Sequence, residues 1–224
     1  MTRDLIDRKT LLLPAGQPEA LRQAADSLRA GGLVAFPTDT VYGLGALVWN
    51  EAGIARIYAA KERPPEKAIP ILLSNLSEAH RLVGAWPAPM ETLARRYWPG
   101  PLTLVVPCGD RVPDFITSGS GTVALRVPNH PVTLQLLSLL GQPLAVTSAN
   151  RSGSSSPLTA EEVLDQLAGR IDAVVDGGRC PGGVPSTVLS LVTDPPILLR
   201  VGPIGVPELR QVLEDGGFEL RVVA

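Results

Sequence analysis

The feature that most constrains this chain is a series of short apolar runs set between segments of helical periodicity. Leu33-Val34-Ala35-Phe36 is continuous and apolar. It follows a stretch in which Leu21, Ala24, Ala25 and Leu28 recur at three- and four-residue spacing before Gly31-Gly32. Runs this short suit strands covered on both faces rather than helices. Similar runs recur at 69–73, 102–106, 123–127, 144–147, 173–175, 187–191 and 197–201. Helical patterns fall between them, at 51–62, 77–83, 89–97, 131–140, 159–167 and 207–213. Pro64-Pro65 stops the second helix, and Thr159 with Glu162 reads as a capping box that opens another. Strands and helices interleaved at irregular intervals predict one α/β domain on a mixed sheet, with no repeat and no long linker. Residues 1–15 read as an N-terminal extension, 16–213 as the domain and 214–224 as a C-terminal tail, where 218–223 offers a last edge strand.

Composition narrows the function classes. With 224 residues and 45% hydrophobic content, the chain can bury a substantial core. Lys and Arg total 20 against 22 Asp and Glu, a formal net charge of −2. A protein that binds nucleic acid or an anionic membrane over its whole surface is normally basic, so any anion site here must concentrate charge locally. No run approaches the ~20 apolar residues of a membrane span, and Met1-Thr2-Arg3-Asp4 opens no signal-peptide h-region. Cys108 and Cys180 form no C-x-x-C pair, and His80 and His130 lie near no cysteine pair. Reduced thiols, a cytoplasmic location, no membrane partner and no structural metal are the expectations.

Polar clusters stand at the ends of the apolar runs. Ser148-Ala149-Asn150-Arg151-Ser152-Gly153-Ser154-Ser155-Ser156-Pro157 follows Leu144-Ala145-Val146-Thr147 and precedes the helix at Thr159. Hydroxyls, backbone N–H groups and a helix N-terminus there can hold an anion without a lysine. An ordinary Ser/Gly linker has a similar composition. Pro37-Thr38-Asp39-Thr40-Val41-Tyr42-Gly43-Leu44-Gly45 follows Phe36, as a ligand loop or as a plain polar turn. Lys61 continues the apolar side of its helix from Ile54 and Tyr58, Arg63 sits at the Pro-Pro corner, and Lys67 follows it. Cations at a helix C-terminus can also simply complement its dipole. Arg126 and Arg200 interrupt apolar strands, so each needs a carboxylate, a phosphate or an open cavity. The glycine-rich stretch 176–187 fits neither the Walker nor the Rossmann pattern, and no G-x-S-x-G elbow occurs.

Taken in order, PTDTVYGLG (37–45), KERPPEK (61–67), YWPGPLTLV (97–105), GTVALRVPNHP (121–131), SANRSGSSSP (148–157), GGVPSTV (182–188) and LLRVGPIG (198–205) resemble the YrdC family of L-threonylcarbamoyl-AMP synthases. The resemblance implies a twisted mixed α/β sheet with flanking helices around a large basic cavity. It implies a nucleotidyltransferase reaction in which ATP, L-threonine and bicarbonate give threonylcarbamoyl-AMP and pyrophosphate, with Mg²⁺ accompanying ATP. This is the first step of N6-threonylcarbamoyladenosine (t6A37) modification of tRNA. Carried over residue by residue, it assigns catalysis to Lys61 and Arg63. The nucleotide falls to Arg63, Lys67, Thr122, Ser148, Asn150, Ser156 and Arg200, and L-threonine to Thr40, Leu72, Arg126, Val146 and Ser186. The chemistry suits that division: Arg126 can fork onto a carboxylate, and Lys61, Arg63 and Arg200 can meet phosphate charge. Asp39 is left open between a Mg²⁺ or amine contact and a turn cap. The departures are Leu72, where relatives carry a polar residue, and Val201, where they carry proline. The chain is also expected to lack the second domain of longer relatives. A downstream tRNA threonylcarbamoyl transferase complex is the implied partner, with direct tRNA contact left open. The alternatives are a double-stranded RNA-binding module of the same fold and a carbamoyl-adenylate enzyme of hydrogenase maturation.

Overall fold

The computed structural model describes residues 9–222. The strands are β1 (Leu11–Pro14), β2 (Val34–Phe36), β3 (Gly43–Leu47), β4 (Ile71–Leu72), β5 (Leu102–Pro107), β6 (Thr122–Arg126), β7 (Leu144–Ser148), β8 (Ala173–Asp176), β9 (Thr187–Ser190), β10 (Ile197–Arg200) and β11 (Arg221–Val222). The helices are α1 (Ala20–Arg29), α2 (Glu51–Lys61), α3 (Leu76–Ala79), α4 (Met90–Tyr97), α5 (Asp114–Thr117), α6 (Pro131–Leu140), α7 (Ala160–Leu167) and α8 (Val206–Asp215). All the strands join one mixed sheet in the order β1-β8-β2-β3-β7-β4-β6-β5-β9-β10-β11. Hydrophobic layers cover both faces. One contains Ile54, Ile57, Met90 and Leu209, and the other joins α1 and α6 through Leu28, Leu136 and Leu137 to Phe36, Leu72 and Val146 of the sheet.

Several expectations shift at element boundaries for local reasons. The segment read as a polar turn after Phe36 contains β3, which pairs antiparallel with β2 and β7. Its glycines hide the strand signal, and they are there for space. A Cβ on Gly43 would lie 2.7 Å from Val146 Cγ1, and one on Gly45 would lie 3.0 Å from Phe36 Cε1. The run 69–73 narrows to β4 because Pro70 has no N–H to give; its carbonyl accepts from Val146 N at 2.8 Å instead. The helix expected over 77–83 ends at Ala79, since Val83 bridges to Cys108 and Gly84 N donates to Pro107 O at 3.0 Å. β1 lies within the segment read as an extension and pairs parallel with β8. β11, within the segment read as a tail, pairs parallel with β10.

Strand alternation sets up the site. Leu72 lies opposite both Leu144 and Arg126, and Arg126 and Leu72 therefore point to the same face as Val146, two residues along β7. On that face α1 and α6 cover the β2, β3 and β7 side. Toward β6, β5 and β9 the face is left for a cavity.

Candidate active site

The cavity encloses about 230 Å³ and is lined by the loop after β2, the corner after α2, strands β4 to β7, the approach to β9 and Arg200 at the end of β10. Ligand clefts typically enclose ~300–1,000 Å³, so the large cavity implied by the resemblance is not what these walls enclose. Its charged lining is Arg63, Arg126 and Arg200, and among the described residues no carboxylate lines it.

Arg126 is the most deeply held of the three. Its Nε donates to Gly100 O at 2.9 Å, Nη1 to Thr40 Oγ1 at 3.0 Å and Nη2 to Asp39 Oδ1 at 2.5 Å. Burial lowers its pKa, and the Asp39 carboxylate pulls in the opposite direction. Asp39 Oδ1 also accepts from Asn129 N at 3.0 Å, while Asp39 Oδ2 is buried with no hydrogen-bond partner among the described residues. The turn around Asp39 is built on Thr38. Its hydroxyl accepts from Thr40 N at 3.1 Å and Val41 N at 3.3 Å, and donates to Val41 O at 2.7 Å. Gly182 packs against this turn so closely that a Cβ would lie 2.5 Å from Asp39 O.

Arg63 and Arg200 are held differently. Lys61 ends α2, Glu62 takes the left-handed conformation with φ 53°, and the chain swings Arg63 toward the cavity. That backbone costs a non-glycine residue ~1–2 kcal/mol. Glu62 is tied down by pairs to Arg151 at 2.5 Å and Arg170 at 2.9 Å. Arg63 donates to Lys67 O at 3.2 Å and Ala68 O at 2.9 Å. Arg200 donates to Ser186 O at 2.9 Å and Ser186 Oγ at 3.2 Å, and the Ser186 and Thr103 hydroxyls are hydrogen-bonded to each other at 2.7 Å. Neither guanidinium has a carboxylate partner among the described residues.

Lys61 lies outside the cavity wall. Only 1% exposed, it donates through Nζ to the carbonyls of Ser148 and Asn150, with Asn150 Oδ1 at 3.5 Å. Burial, and secondarily the charge of Arg63, push its pKa down to about 7. Asn150 turns inward on its own loop, donating to Arg151 O at 2.8 Å and Ser154 O at 2.7 Å. The N-terminus of α7 is already satisfied. Thr159 accepts from Glu162 N at 3.3 Å, Glu162 Oε2 accepts from Leu158 N at 2.6 Å, and Glu161 and Glu162 occupy the first turn. The anion expected there meets carboxylates instead.

Of the residues singled out from sequence, the structure brings Thr40, Arg63, Leu72, Arg126, Val146, Ser148, Ser186 and Arg200 to one wall. Lys61, Lys67, Thr122, Asn150 and Ser156 lie outside it. Thr122 Oγ1 is bonded to Ser120 Oγ at 3.0 Å. Thr103 joins the wall unforeseen, its hydroxyl on the cavity face of an otherwise apolar strand. That interruption of the 102–106 run was the available signal.

The Sua5/YciO/YrdC family model, described as "Telomere recombination", matches residues 26–202. The threonylcarbamoyl-AMP synthase of Pyrococcus abyssi is 44% identical over 195 residues, covering 87% of this chain and 57% of that protein. That of Bacillus subtilis is 45% identical over 194 residues, covering 86% and 56%. The chain thus spans a little over half the length of these two relatives. A putative threonylcarbamoyl-AMP synthase of Mycobacterium tuberculosis is 34% identical over 200 residues, covering 89% of this chain and 92% of that protein. The crystal structure of P. abyssi Sua5 complexed with L-threonine superposes with a TM-score of 0.88 at 41% identity, over 95% of this chain and 62% of that one. E. coli YciO superposes at 0.78 with 27% identity, over 89% and 97%. The family model and these relatives match most of the chain, and the chain belongs to the Sua5/YciO/YrdC family.

Proposed function

We propose that this chain is an L-threonylcarbamoyladenylate synthase, joining L-threonine and bicarbonate to the AMP part of ATP with release of pyrophosphate, as the first step of t6A37 formation in tRNA. The observation that carries the reading is one cavity with two kinds of arginine. Arg126 is buried and paired, while Arg63 and Arg200 are held by neutral acceptors alone. Relatives that bear the synthase name match most of the chain, and a relative was crystallised with L-threonine.

In this reading Arg126 receives the threonine carboxylate. Two of its five N–H groups remain after Gly100, Thr40 and Asp39 are served, enough for a forked pair. Thr40 and Ser186 supply hydroxyls beside it, and Leu72 and Val146 shape the floor. The threonine amine takes up the carbon of bicarbonate, forming an N–C bond as a C–O bond of bicarbonate breaks, with water and a net proton released to solvent. A carbamate oxygen then attacks the α-phosphorus, and the bond to pyrophosphate breaks. Arg63, Arg200 and Ser148 meet the charge that builds there. Lys61 and Asn150 act by fixing the Ser148–Asn150 backbone. The enclosed volume suits the amino acid and the reacting phosphate, so adenosine lies outward, where Lys67, Thr122 and Ser156 are the assigned contacts.

Among the described residues no group of three or more His, Cys, Asp or Glu side chains could hold a metal ion. Asp39 is engaged by Arg126 and Asn129, which favours a structural role over a metal contact. Mg²⁺ enters as part of the ATP substrate. No helix among the described residues is long and apolar enough to cross a membrane. A cytoplasmic enzyme that hands its adenylate to a tRNA-modifying transferase fits the reading.

Pyrophosphate release from ATP and bicarbonate, assayed with and without L-threonine, tests it. Release that requires threonine is expected. Equal release without threonine overturns the assignment.

A further inference from the structure

We propose that Asp39 sorts the anions of this cavity: by neutralising Arg126 it reserves that end for a zwitterionic amino acid and leaves phosphate to Arg63 and Arg200. The inference rests on the functional reading above only for the identity of the amino acid. Asp39 does not line the cavity; it stands behind Arg126, so it is a positioning residue.

Arg126 and Asp39 are 7% and 11% exposed at their side chains, with Nη2 and Oδ1 2.5 Å apart, and together carry no net charge. A zwitterion added to such a pair leaves the sum unchanged, its carboxylate on the free N–H groups of Arg126. A phosphate group would add negative charge that the neutral Arg126–Asp39 pair does not offset, leaving Arg200, whose charge reaches Arg126, as its counter-charge. The Asp39 carboxylate, standing behind Arg126, would also repel it.

The other end is the reverse. Arg63 donates to the carbonyls of Lys67 and Ala68, and Arg200 to the carbonyl and hydroxyl of Ser186. Carbonyls and hydroxyls orient a guanidinium without cancelling its charge. Both arginines therefore keep a full positive charge facing the same cavity. The sheet fixes the separation. Arg126 sits in β6 and Arg200 at the end of β10, with β5 and β9 between them in strand order. Two ligands of different charge then enter one cavity without exchanging places.

Isothermal titration with pyrophosphate, in the absence of ATP, reads the sorting directly. The wild type should take one pyrophosphate per chain. Asp39→Asn should take two and bind L-threonine at least tenfold more weakly. The double variant Asp39→Asn with Arg126→Gln should return to one, which locates the gained site at Arg126. A folded Asp39→Asn protein that still takes one pyrophosphate and binds threonine as before overturns the proposal, as does a wild type that takes two. Should thermal melting show Asp39→Asn to be unfolded, Ser186→Asp decides. It places a carboxylate where Arg200 now reaches Ser186 Oγ, and pyrophosphate affinity should fall at least tenfold; an unchanged affinity overturns the proposal. A wild type that takes one pyrophosphate but no L-threonine counts against the amino-acid assignment and leaves the sorting standing.

Discussion

Two loops flank the cavity, and they are held in different ways. The loop over residues 37–42 carries a hub of its own, to which Arg126 and Asn129 add bonds from outside. Thr38 and Thr40 are buried, and the Thr38 hydroxyl serves as the hub for two backbone N–H groups. The loop over 148–157 is ordered from outside. Lys61 holds the carbonyls of Ser148 and Asn150, and Gln166 accepts from Arg151 N at 3.1 Å and donates to Ser155 O at 3.2 Å. Its serines 152, 154 and 155 are exposed, and only Ser148 of its hydroxyls reaches the cavity wall. A serine-rich composition therefore says little about which hydroxyls work. The residue that makes this loop a site is a lysine many residues away.

The sharpest way to break the comparison is to remove the outside support. Lys61→Met leaves two buried carbonyls without their donor and should cost about 3 kcal/mol in urea denaturation. Pyrophosphate release should fall with it. The pH dependence carries a sign. The unfolded lysine keeps its proton up to its ordinary value, whereas the folded one releases it at about 7. Between those values the unfolded state binds more protons, so wild-type stability rises with pH relative to the Met variant. A pH-independent difference between the two would contradict the buried, destabilised charge.

Arg200→Ala touches the uncompensated end without touching either loop's support. Pyrophosphate release should drop about a hundredfold or more, roughly 3 kcal/mol of transition-state stabilisation, while the melting temperature barely moves. Normal turnover would remove Arg200 from the site. Thr38→Val takes away the inside hub and leaves buried N–H groups unpaired, about 2 kcal/mol by denaturation. Arg126→Lys keeps charge and loses the fork, so the KM for threonine should rise about tenfold with the KM for ATP little changed. Equal effects on both would dissolve the division of the cavity. Replacing Ser152, Ser154 and Ser155 together by alanine should shift stability by less than about 0.5 kcal/mol and leave turnover intact.

Much of this was legible in the chain. Continuous apolar runs marked the central strands, because strands covered on both faces need them. A lysine on an apolar helix face and arginines inside apolar strands announced buried charge; Lys61 and Arg126 are buried, whereas Arg200 at the end of its strand is exposed. Other features were hidden for physical reasons. β3 contains Gly43 and Gly45, which supply space rather than a side chain, so its run reads as a turn. The partner of Arg126 lies far away in sequence at Asp39, and only the folded sheet reveals the pairing. The residues that the motif resemblance assigns divide in the fold: eight line the cavity, while Lys61 and Asn150 hold backbone beside it.

The central claim is that amino acid, carbon dioxide and AMP are joined in this cavity. Mass spectrometry of the nucleotide products from ATP, L-threonine and labelled bicarbonate tests it most directly. The account predicts a labelled adenylate that contains threonine and disappears when any one substrate is omitted. An adenylate formed without the bicarbonate carbon, or none at all from the folded protein, would contradict it.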